Sequence, residues 1–212
     1  MNREPFTWSN HIDYGQIRKL SRNAIVYRQG DLGNGFYYLH EGEVKISMLR
    51  DDGHEQIIDY VLSGGLIGEQ GLTEGTYFTT AEITLDSTLY YFSSNDFRNL
   101  CTDYPEAAQE FSFSLIAKIR MLAKIESIVD APADIQLAYY LCLLYEKTAN
   151  LTISLNQSSI SNYIGKSRVT VWKIFKEWKE EGIIQVSDRA ICIKELNKIE
   201  EIIDEYLSRT KK

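Results

Sequence analysis

The sequence predicts an α+β protein in which an antiparallel β-roll is followed by a long helix and a small C-terminal helical unit. Two observations support this fold class. From Ala24 to about Phe92, short runs of β-branched and aromatic residues alternate with turn residues. From Ala107 onward, apolar residues recur every three or four positions, which is the spacing of one helix face.

The first domain, placed at residues 1–106, is predicted to consist of antiparallel strands. Turn signals follow one another roughly every ten residues, a spacing typical of barrels and sandwiches. Asp52-Gly53 is the strongest hairpin signal, because a type I′ turn requires positive φ. The predicted strands are residues 24–27, 35–39, 44–48, 56–61 and 80–84, and the predicted breaks are 29–31, 41–43, 51–53, 63–65 and 74–75.

A single long helix is predicted over Ala107–Val129, with an apolar stripe along one face. Two interpretations remain open, since the stripe either packs on its own β-roll or pairs with a second copy in a coiled-coil manner. We favour the homodimer, because the stripe is longer than a small domain covers. Residues 107–130 are therefore assigned to a dimerisation helix and hinge. The stripe consists of Ala108, Phe111, Leu115, Ile119, Leu122, Ile125 and Val129.

The segment Asp130-Ala131-Pro132 is predicted to interrupt this helix. The residue before a proline avoids the α-helical region, whereas proline itself is favourable in a first helical turn. A new helix is therefore expected over Ala133–Glu146. It opens the third region, residues 131–212, which ends in an amphipathic helix.

Residues Gln157–Lys176 have the pattern of a helix-turn-helix. Gly165 lies between two short amphipathic segments and permits the left-handed turn that joins such helices. The second helix is predicted at 168–180. The apolar anchors are Ile160 and Ile164 in the first helix and Val171, Ile174 and Phe175 in the second.

Two short strands, Ile183–Ser187 and Ala190–Ile193, are predicted to follow and to join around Asp188-Arg189. A helix-turn-helix followed by such a hairpin is a winged helix-turn-helix. The other interpretation is a helical hairpin with a solvated basic face.

Charge is distributed unevenly along the chain, whose net charge is −7. Residues 1–130 carry 11 Lys+Arg against 19 Asp+Glu, whereas residues 131–212 carry 12 against 11. The segment 151–176 contains Lys166, Arg168, Lys173 and Lys176 and no acidic residue. Because a phosphate backbone responds to local charge, this segment is suited to nucleic acid despite the acidic total.

With both domains considered, residues 15–195 or so resemble the CRP/FNR family of bacterial transcription regulators. Gly64–Leu72 is similar to the family's phosphate-binding cassette, and Tyr27–Asp31 and Leu39–Gly42 to earlier turns of its β-roll. Ser167–Lys173 is similar to its recognition helix. Within the family, the CprK-like halorespiration regulators are the subgroup that the chain most resembles.

The resemblance implies a homodimer that binds double-stranded DNA at a palindromic operator, with RNA polymerase as a further partner if the protein activates transcription. It implies that helix 168–180 reads the DNA. At Trp172 the chain departs from the small residue that is usual in the family. The implied DNA-binding residues are Ser158, Lys166, Ser167, Arg168, Val169, Thr170, Lys173 and Lys176.

The resemblance also implies an effector site in the β-roll. In members that bind cyclic nucleotides, a glutamate after the cassette glycine contacts the ribose, and an arginine contacts the phosphate. Glu69 matches the first position, but Thr79 replaces the arginine, so we expect a small-molecule effector other than cyclic AMP. The implied effector-binding residues are Gly68, Glu69, Thr79, Thr80, Ile119 and Arg120.

Three phenylalanines near this site allow two interpretations. Phe78, Phe111 and Phe113 either contact an aromatic effector, as in the CprK-like regulators, or belong to the core of the β-roll. Sequence alone leaves both open.

Other classes of function lack their motifs. The histidines His11, His40 and His54 are predicted in polar turns, and the cysteines Cys101, Cys142 and Cys192 are scattered, so we expect no metal, haem, iron–sulfur cluster or other cofactor. A cupin-like enzyme is disfavoured by the lack of clustered metal ligands, and no hydrolase triad or Walker motif is present. The remaining alternative is a cyclic-nucleotide-type sensor module that regulates a partner protein.

The N-terminus lacks the apolar region of a signal peptide, and no apolar run is long enough to cross a membrane. We therefore expect a cytoplasmic location and no membrane partner.

Overall fold

The computed structural model describes residues 5–51, 53, 55–153, 157–187 and 190–210, and for residues 147, 148, 157–159, 162 and 210 it describes the backbone alone. The predicted α+β class is confirmed. The chain divides into two compact units, Met1–Met121 and Leu122–Lys212. This division falls inside the long helix, and the domain limits at residues 106 and 130 stay a prediction.

The first unit contains six antiparallel strands, ordered β1-β6-β3-β4, with β2 paired to β6 and β5 to β3. The unit also has two 3₁₀ segments, Trp8–Tyr14 before β1 and Glu69–Thr73 between β5 and β6. The strands are β1 Gln16–Leu20, β2 Ile25–Tyr27, β3 Gly35–Leu49, β4 Glu55–Leu62, β5 Leu66–Ile67 and β6 Thr80–Ser93.

The predicted break at residues 41–43 is wrong, because these residues lie inside β3. The pairing register between β3 and β6 shifts on both sides of Glu41 and again after Glu43. Gly42 has φ +109°, and a Cβ there would lie 2.0 Å from Ser87 Oγ. The glycine therefore permits a bulge in a continuous strand instead of a chain reversal. Of the predicted Asp52-Gly53 hairpin, Asp52 lies outside the described residues, and Gly53 has φ +81°.

The long helix, α2 at Glu106–Glu126, follows α1 at Ser94–Asp103. It begins one residue before the predicted helix and ends three residues earlier, so Val129 does not belong to it. The chain then makes a tight turn, in which the Gln136 side chain donates to the carbonyls of Val129 and Ala131 at 2.7 and 2.8 Å. Pro132 caps the next helix, α3 at Ala133–Thr148. The hinge function of this turn stays a prediction.

The second unit continues from α3 with two more helices, a small sheet and a final helix. The predicted wing strands are confirmed as β8 and β9, and the prediction missed β7, which pairs with β9 on its other edge. One core cluster includes the buried residues Leu141, Ile160, Phe175 and Ile191. The elements are β7 Thr152–Ile153, α4 Gln157–Ile164, α5 Arg168–Glu180, β8 Ile184–Val186, β9 Ile191–Ile193 and α6 Leu196–Thr210.

Candidate nucleic-acid interface and effector site

The turn between α4 and α5 fixes where the second helix begins. Gly165 has φ +64°, a backbone conformation that side chains with a Cβ rarely adopt. The buried Ser161 hydroxyl donates to the carbonyl of Lys166 at 2.6 Å, and the Lys166 amide donates to the Ser161 carbonyl at 3.1 Å. This pair of hydrogen bonds closes the turn, so the orientation of α5 on α4 is set locally.

Ser167 is the N-cap of α5. Its hydroxyl accepts from the Thr170 amide at 3.1 Å, and the two hydroxyls lie 2.9 Å apart. The first turn of α5 contains no acidic residue. No carboxylate of the first turn therefore neutralises the partial positive charge of the backbone amides at this helix end. Such an end is suited to binding a phosphate.

The two faces of α5 differ in chemistry. Val171, Ile174, Phe175 and Trp178 are buried in the core of the unit. The opposite face is exposed and carries four of the eight predicted DNA-binding residues together with Trp172. Its members are Arg168, Val169, Trp172, Lys173 and Lys176.

The other four predicted DNA-binding residues are not members of this face. Ser167 is the exposed N-cap residue. Lys166 and Thr170 are half-buried beside the turn. Ser158 belongs to α4, and its side chain lies outside the described residues. The structure therefore brings Arg168, Val169, Lys173 and Lys176 together on one exposed surface, with Lys166, Ser167 and Thr170 at the start of the same helix.

The wing hairpin is closed by hydrogen bonds between Ser187 and Ala190. The Ser187 amide donates to the Ala190 carbonyl at 2.9 Å, and the Ser187 hydroxyl accepts from the Ala190 amide at 3.1 Å. The tip, Asp188-Arg189, lies outside the described residues.

In the first unit, the cassette glutamate is bonded to a lysine of α2. Glu69 is 8% exposed, and its carboxylate lies 2.5 Å from Lys118 Nζ. The same ammonium donates to the Leu66 carbonyl at 2.7 Å, and Ser114 Oγ lies 3.4 Å from the carboxylate. Gly68, with φ +75°, lets the backbone turn into the 3₁₀ segment that carries Glu69.

Thr79, which replaces the family's arginine, is buried and also bonded within the unit. Its hydroxyl accepts from Gln70 Nε2 at 3.0 Å and is hydrogen bonded to the Tyr27 hydroxyl. Burial raises the pKa of Tyr27, whereas the Thr79 hydrogen bond lowers it. Thr80 accepts from the Gln29 amide at 3.0 Å and so belongs to a neighbouring turn.

Two residues of α2 contact the cassette glutamate and were not predicted, and the effector contacts predicted for Ile119 and Arg120 stay a prediction. Ile119 and Arg120 are exposed, whereas Ser114 and Lys118 contact Glu69. The helical repeat could have predicted these contacts. Phe111, Ser114 and Lys118 are spaced to share one face of α2, and Phe111 of that face packs on Phe36 of the roll.

The three phenylalanines do not gather at this site. Phe111 lies in the aromatic core beside Phe36 and Phe97, with ring centroids 5.1 and 4.9 Å apart. Phe78 and Phe113 are exposed. The core interpretation therefore holds for Phe111 and not for the other two.

Among the described residues, no group of three His, Cys, Asp or Glu side chains is placed to hold a metal ion. Cys101, Cys142 and Cys192 are free thiols, and burial raises the pKa of Cys142 to about 12. His40 lies on β3 instead of in a turn, and His54 lies outside the described residues. None of the helices in the described part of the chain is long and apolar enough to cross a membrane.

Comparison with known proteins identifies both units. Residues 17–104 match the cyclic nucleotide-binding domain, and residues 136–202 match the Crp-like helix-turn-helix domain. The cyclic AMP receptor protein of Thermus thermophilus is 24% identical over 193 residues, which cover 90% of this chain and 89% of that protein.

Two solved structures share the fold. A CooA mutant from Carboxydothermus hydrogenoformans superposes with a TM-score of 0.77 at 20% identity, covering 95% of this chain and 93% of that one. CprK complexed with OCPA gives 0.71 at 20% identity, covering 92% of each chain. The β-roll, the winged helix-turn-helix and these matches together show that the chain belongs to the CRP/FNR family of DNA-binding transcription regulators.

Proposed function

We propose that the protein is a homodimeric, sequence-specific regulator that binds a palindromic operator through α5. The observation that carries the proposal is the exposed basic face of α5, which is held outward by the buried face opposite it. Arg168, Lys173 and Lys176 supply the charge that a phosphate backbone attracts. Lys166, Ser167 and Thr170 lie at or beside the start of α5, where contacts with phosphate fix the register, and Ser158 of α4 is proposed as a further DNA contact.

Three side chains are proposed to read bases. Arg168 is suited to a bidentate contact with guanine, and Lys173 to guanine or a nearby phosphate. Val169 cannot accept a hydrogen bond from cytosine, but its methyl groups can pack on the methyl of thymine. We therefore expect half-sites nearer TTAAT than TTGAT, with centres about one helical turn apart.

Selection from random-sequence DNA tests this proposal. The wild-type protein is expected to enrich a two-fold symmetric sequence. Arg168→Ala should lose affinity for that sequence, whereas Lys198→Ala, at an exposed position of α6, serves as the matched control. If no sequence is enriched, the DNA-reading role is wrong, and the alternative of a sensor module that regulates a partner protein gains support.

The homodimer is proposed to form through α2. Within the first unit Leu115 and Ile119 are exposed on this helix, and within the second Leu122 is exposed. Such apolar side chains are typical of a helix that pairs with a copy of itself. Sedimentation should show a dimer at micromolar concentration. Leu115→Lys with Leu122→Lys should give a monomer, and Ala117→Lys, at another exposed position of α2, should not.

The effector is proposed to be a small molecule other than cyclic AMP. A cyclic phosphate at Thr79 would lack a guanidinium, and a ribose at Glu69 would compete with Lys118. Calorimetry should show little or no binding of cyclic AMP, and micromolar affinity would overturn this part of the proposal. Thr79→Arg is the companion variant, since it restores the missing cation.

A further inference from the structure

The recognition helix exposes two large apolar side chains that its own unit does not bury. Val169 is 64% exposed and Trp172 is 52% exposed. They are spaced by three residues, so they lie side by side on one helix face. Tryptophan is highly buried on average, which makes an exposed one informative.

Core packing does not account for this exposed tryptophan. The buried face of α5 is already formed by Val171, Ile174, Phe175 and Trp178. Trp178, only six residues away, is 5% exposed and shows how this helix places a tryptophan in the core. Trp172 lies on the other face, which in the proposed function is the face that meets DNA.

The surroundings of Trp172 specify an anionic partner. The Lys176 ammonium lies 5.8 Å from the centre of the indole ring, within the range of a cation–π contact. Arg168 and Lys173 are exposed on the same helix. The apolar patch of Val169 and Trp172, with three cations around it, is complementary to a partner that has phosphates on either side of an apolar group. In the major groove that group is the 5-methyl of thymine.

We propose that Trp172 is a specificity-determining residue and that, together with Val169, it recognises thymine 5-methyl groups at neighbouring base pairs. This inference rests on the proposed function, because it requires α5 to lie in the major groove. It adds a second side chain, Trp172, to the reading of thymine methyl groups that is proposed for Val169. The indole and the valine methyls would contact the methyl groups directly, while Lys176 contacts a flanking phosphate.

Replacing thymine with uracil tests the inference, because it removes only the methyl group. In duplexes that carry the selected operator, each half-site thymine is replaced singly by deoxyuridine, and binding is measured by fluorescence anisotropy. Burial of one methyl group predicts a loss of about fourfold in wild-type affinity at each contacted position. Trp172→Ala should abolish the thymine preference at one position and keep it at the position contacted by Val169.

The thymine-to-uracil ratio is measured within one variant, so a general loss of affinity does not affect it. Val169→Ala is the matched variant and should abolish the preference at the other position. Equal binding of thymine and uracil duplexes by a wild-type protein that still selects an operator overturns the inference and the Val169 contact with thymine, but leaves the DNA-binding role of α5 standing. An unchanged thymine-to-uracil ratio in Trp172→Ala also overturns the inference. The same holds if Trp172→Ala changes the oligomeric state of the protein but not this ratio. If selection enriches no sequence, the proposed function fails and this inference fails with it.

Discussion

The effector cassette and the recognition helix differ in how their polar groups are satisfied. In the cassette, the side chains that the family assigns to a ligand are bonded within the unit, Glu69 to Lys118 and Thr79 to Gln70. On α5, Arg168 and Lys173 point from an exposed helix face. One site is internally closed, and the other is open to a partner.

This difference has an energetic consequence. DNA can approach α5 without breaking the hydrogen bonds that hold the helix start, so binding depends on local charge and shape. A ligand at the cassette has to replace contacts to a buried carboxylate. Because an unpaired buried charge is costly, only a ligand that offers an equivalent donor can open this site.

Breaking the cassette ion pair should produce the largest effect. Lys118→Met keeps the length of the side chain but leaves the Glu69 carboxylate buried without its cation. We expect the free energy of unfolding to fall by about 3 kcal/mol, measured by urea denaturation. Lys124→Met, at an exposed position of the same helix, should change it by less than about 0.5 kcal/mol.

A double variant separates the charge from the packing. Combining Lys118→Met with Glu69→Gln removes the buried charge and should recover more than half of the loss. If Lys118→Met alone and Glu69→Gln alone are both as stable as the wild type, the ion pair between Glu69 and Lys118 does not hold the cassette closed.

The two sites also differ in how much of them sequence alone could predict. The exposed face of α5 followed from a local pattern, because Val171, Ile174 and Phe175 mark the buried face and so define its opposite. Lys118 was missed because its contact with Glu69 joins residues 49 positions apart. Such a pairing depends on how α2 packs on the roll, which helical periodicity alone does not define.

The strands show the same limit. A glycine such as Gly42 gives the same sequence signal whether it ends a strand or forms a bulge, so β3 was predicted as two strands. In the structure Gly42 has positive φ and lies inside one continuous strand. The strand β7 is only two residues long and pairs with a strand far along the chain, so no local signal predicted it. Local patterns predicted the elements, and tertiary pairing decided their extent.

A substitution on the exposed face of α5 should change which DNA sequence the protein prefers and leave its free energy of unfolding nearly unchanged. Val169→Glu supplies a carboxylate that accepts from the cytosine amino group. We expect preference at the inner base pair to move from A·T toward G·C by about 1–3 kcal/mol, measured by competition between TTAAT and TTGAT operators. The free energy of unfolding should change by less than about 0.5 kcal/mol, because Val169 is exposed. Recovery of G·C by the wild-type protein would rule this out.

Alkaline pH should destabilise the closed site. Burial raises the pKa of Tyr27 and of Tyr77 above the ordinary value of 10.0. A raised pKa means that the folded protein holds protons which the unfolded chain releases, so stability is complete below pH 10 and is lost as pH rises above it. The slope is about 1.4 kcal/mol per pH unit for each group. Tyr27→Phe should reduce the slope in urea denaturation series, and an unchanged slope would show that Tyr27 titrates normally.

The smallest expected effect concerns the turn that presents the open site. A Cβ at Gly165 would meet no atom within 4 Å, so Gly165→Ala tests the left-handed backbone alone. The variant should lose about 1 kcal/mol of unfolding free energy, and Gly165→Asn should lose less, because asparagine tolerates this conformation.

The reverse change is available at Ala149, which adopts φ +50° at the C-cap of α3. Ala149→Gly relieves that conformation but adds entropy to the unfolded chain, so it should be neutral or slightly stabilising. Thermal denaturation of the three variants gives the comparison. If Gly165→Ala is as stable as the wild type, there are two explanations. Either the Ser161–Lys166 hydrogen bonds hold the start of α5 in place despite the backbone strain at residue 165, or the turn changes its conformation to relieve that strain. Operator affinity distinguishes the two, because a relaxed turn would reorient Arg168 and weaken binding, whereas a held turn would leave it unchanged.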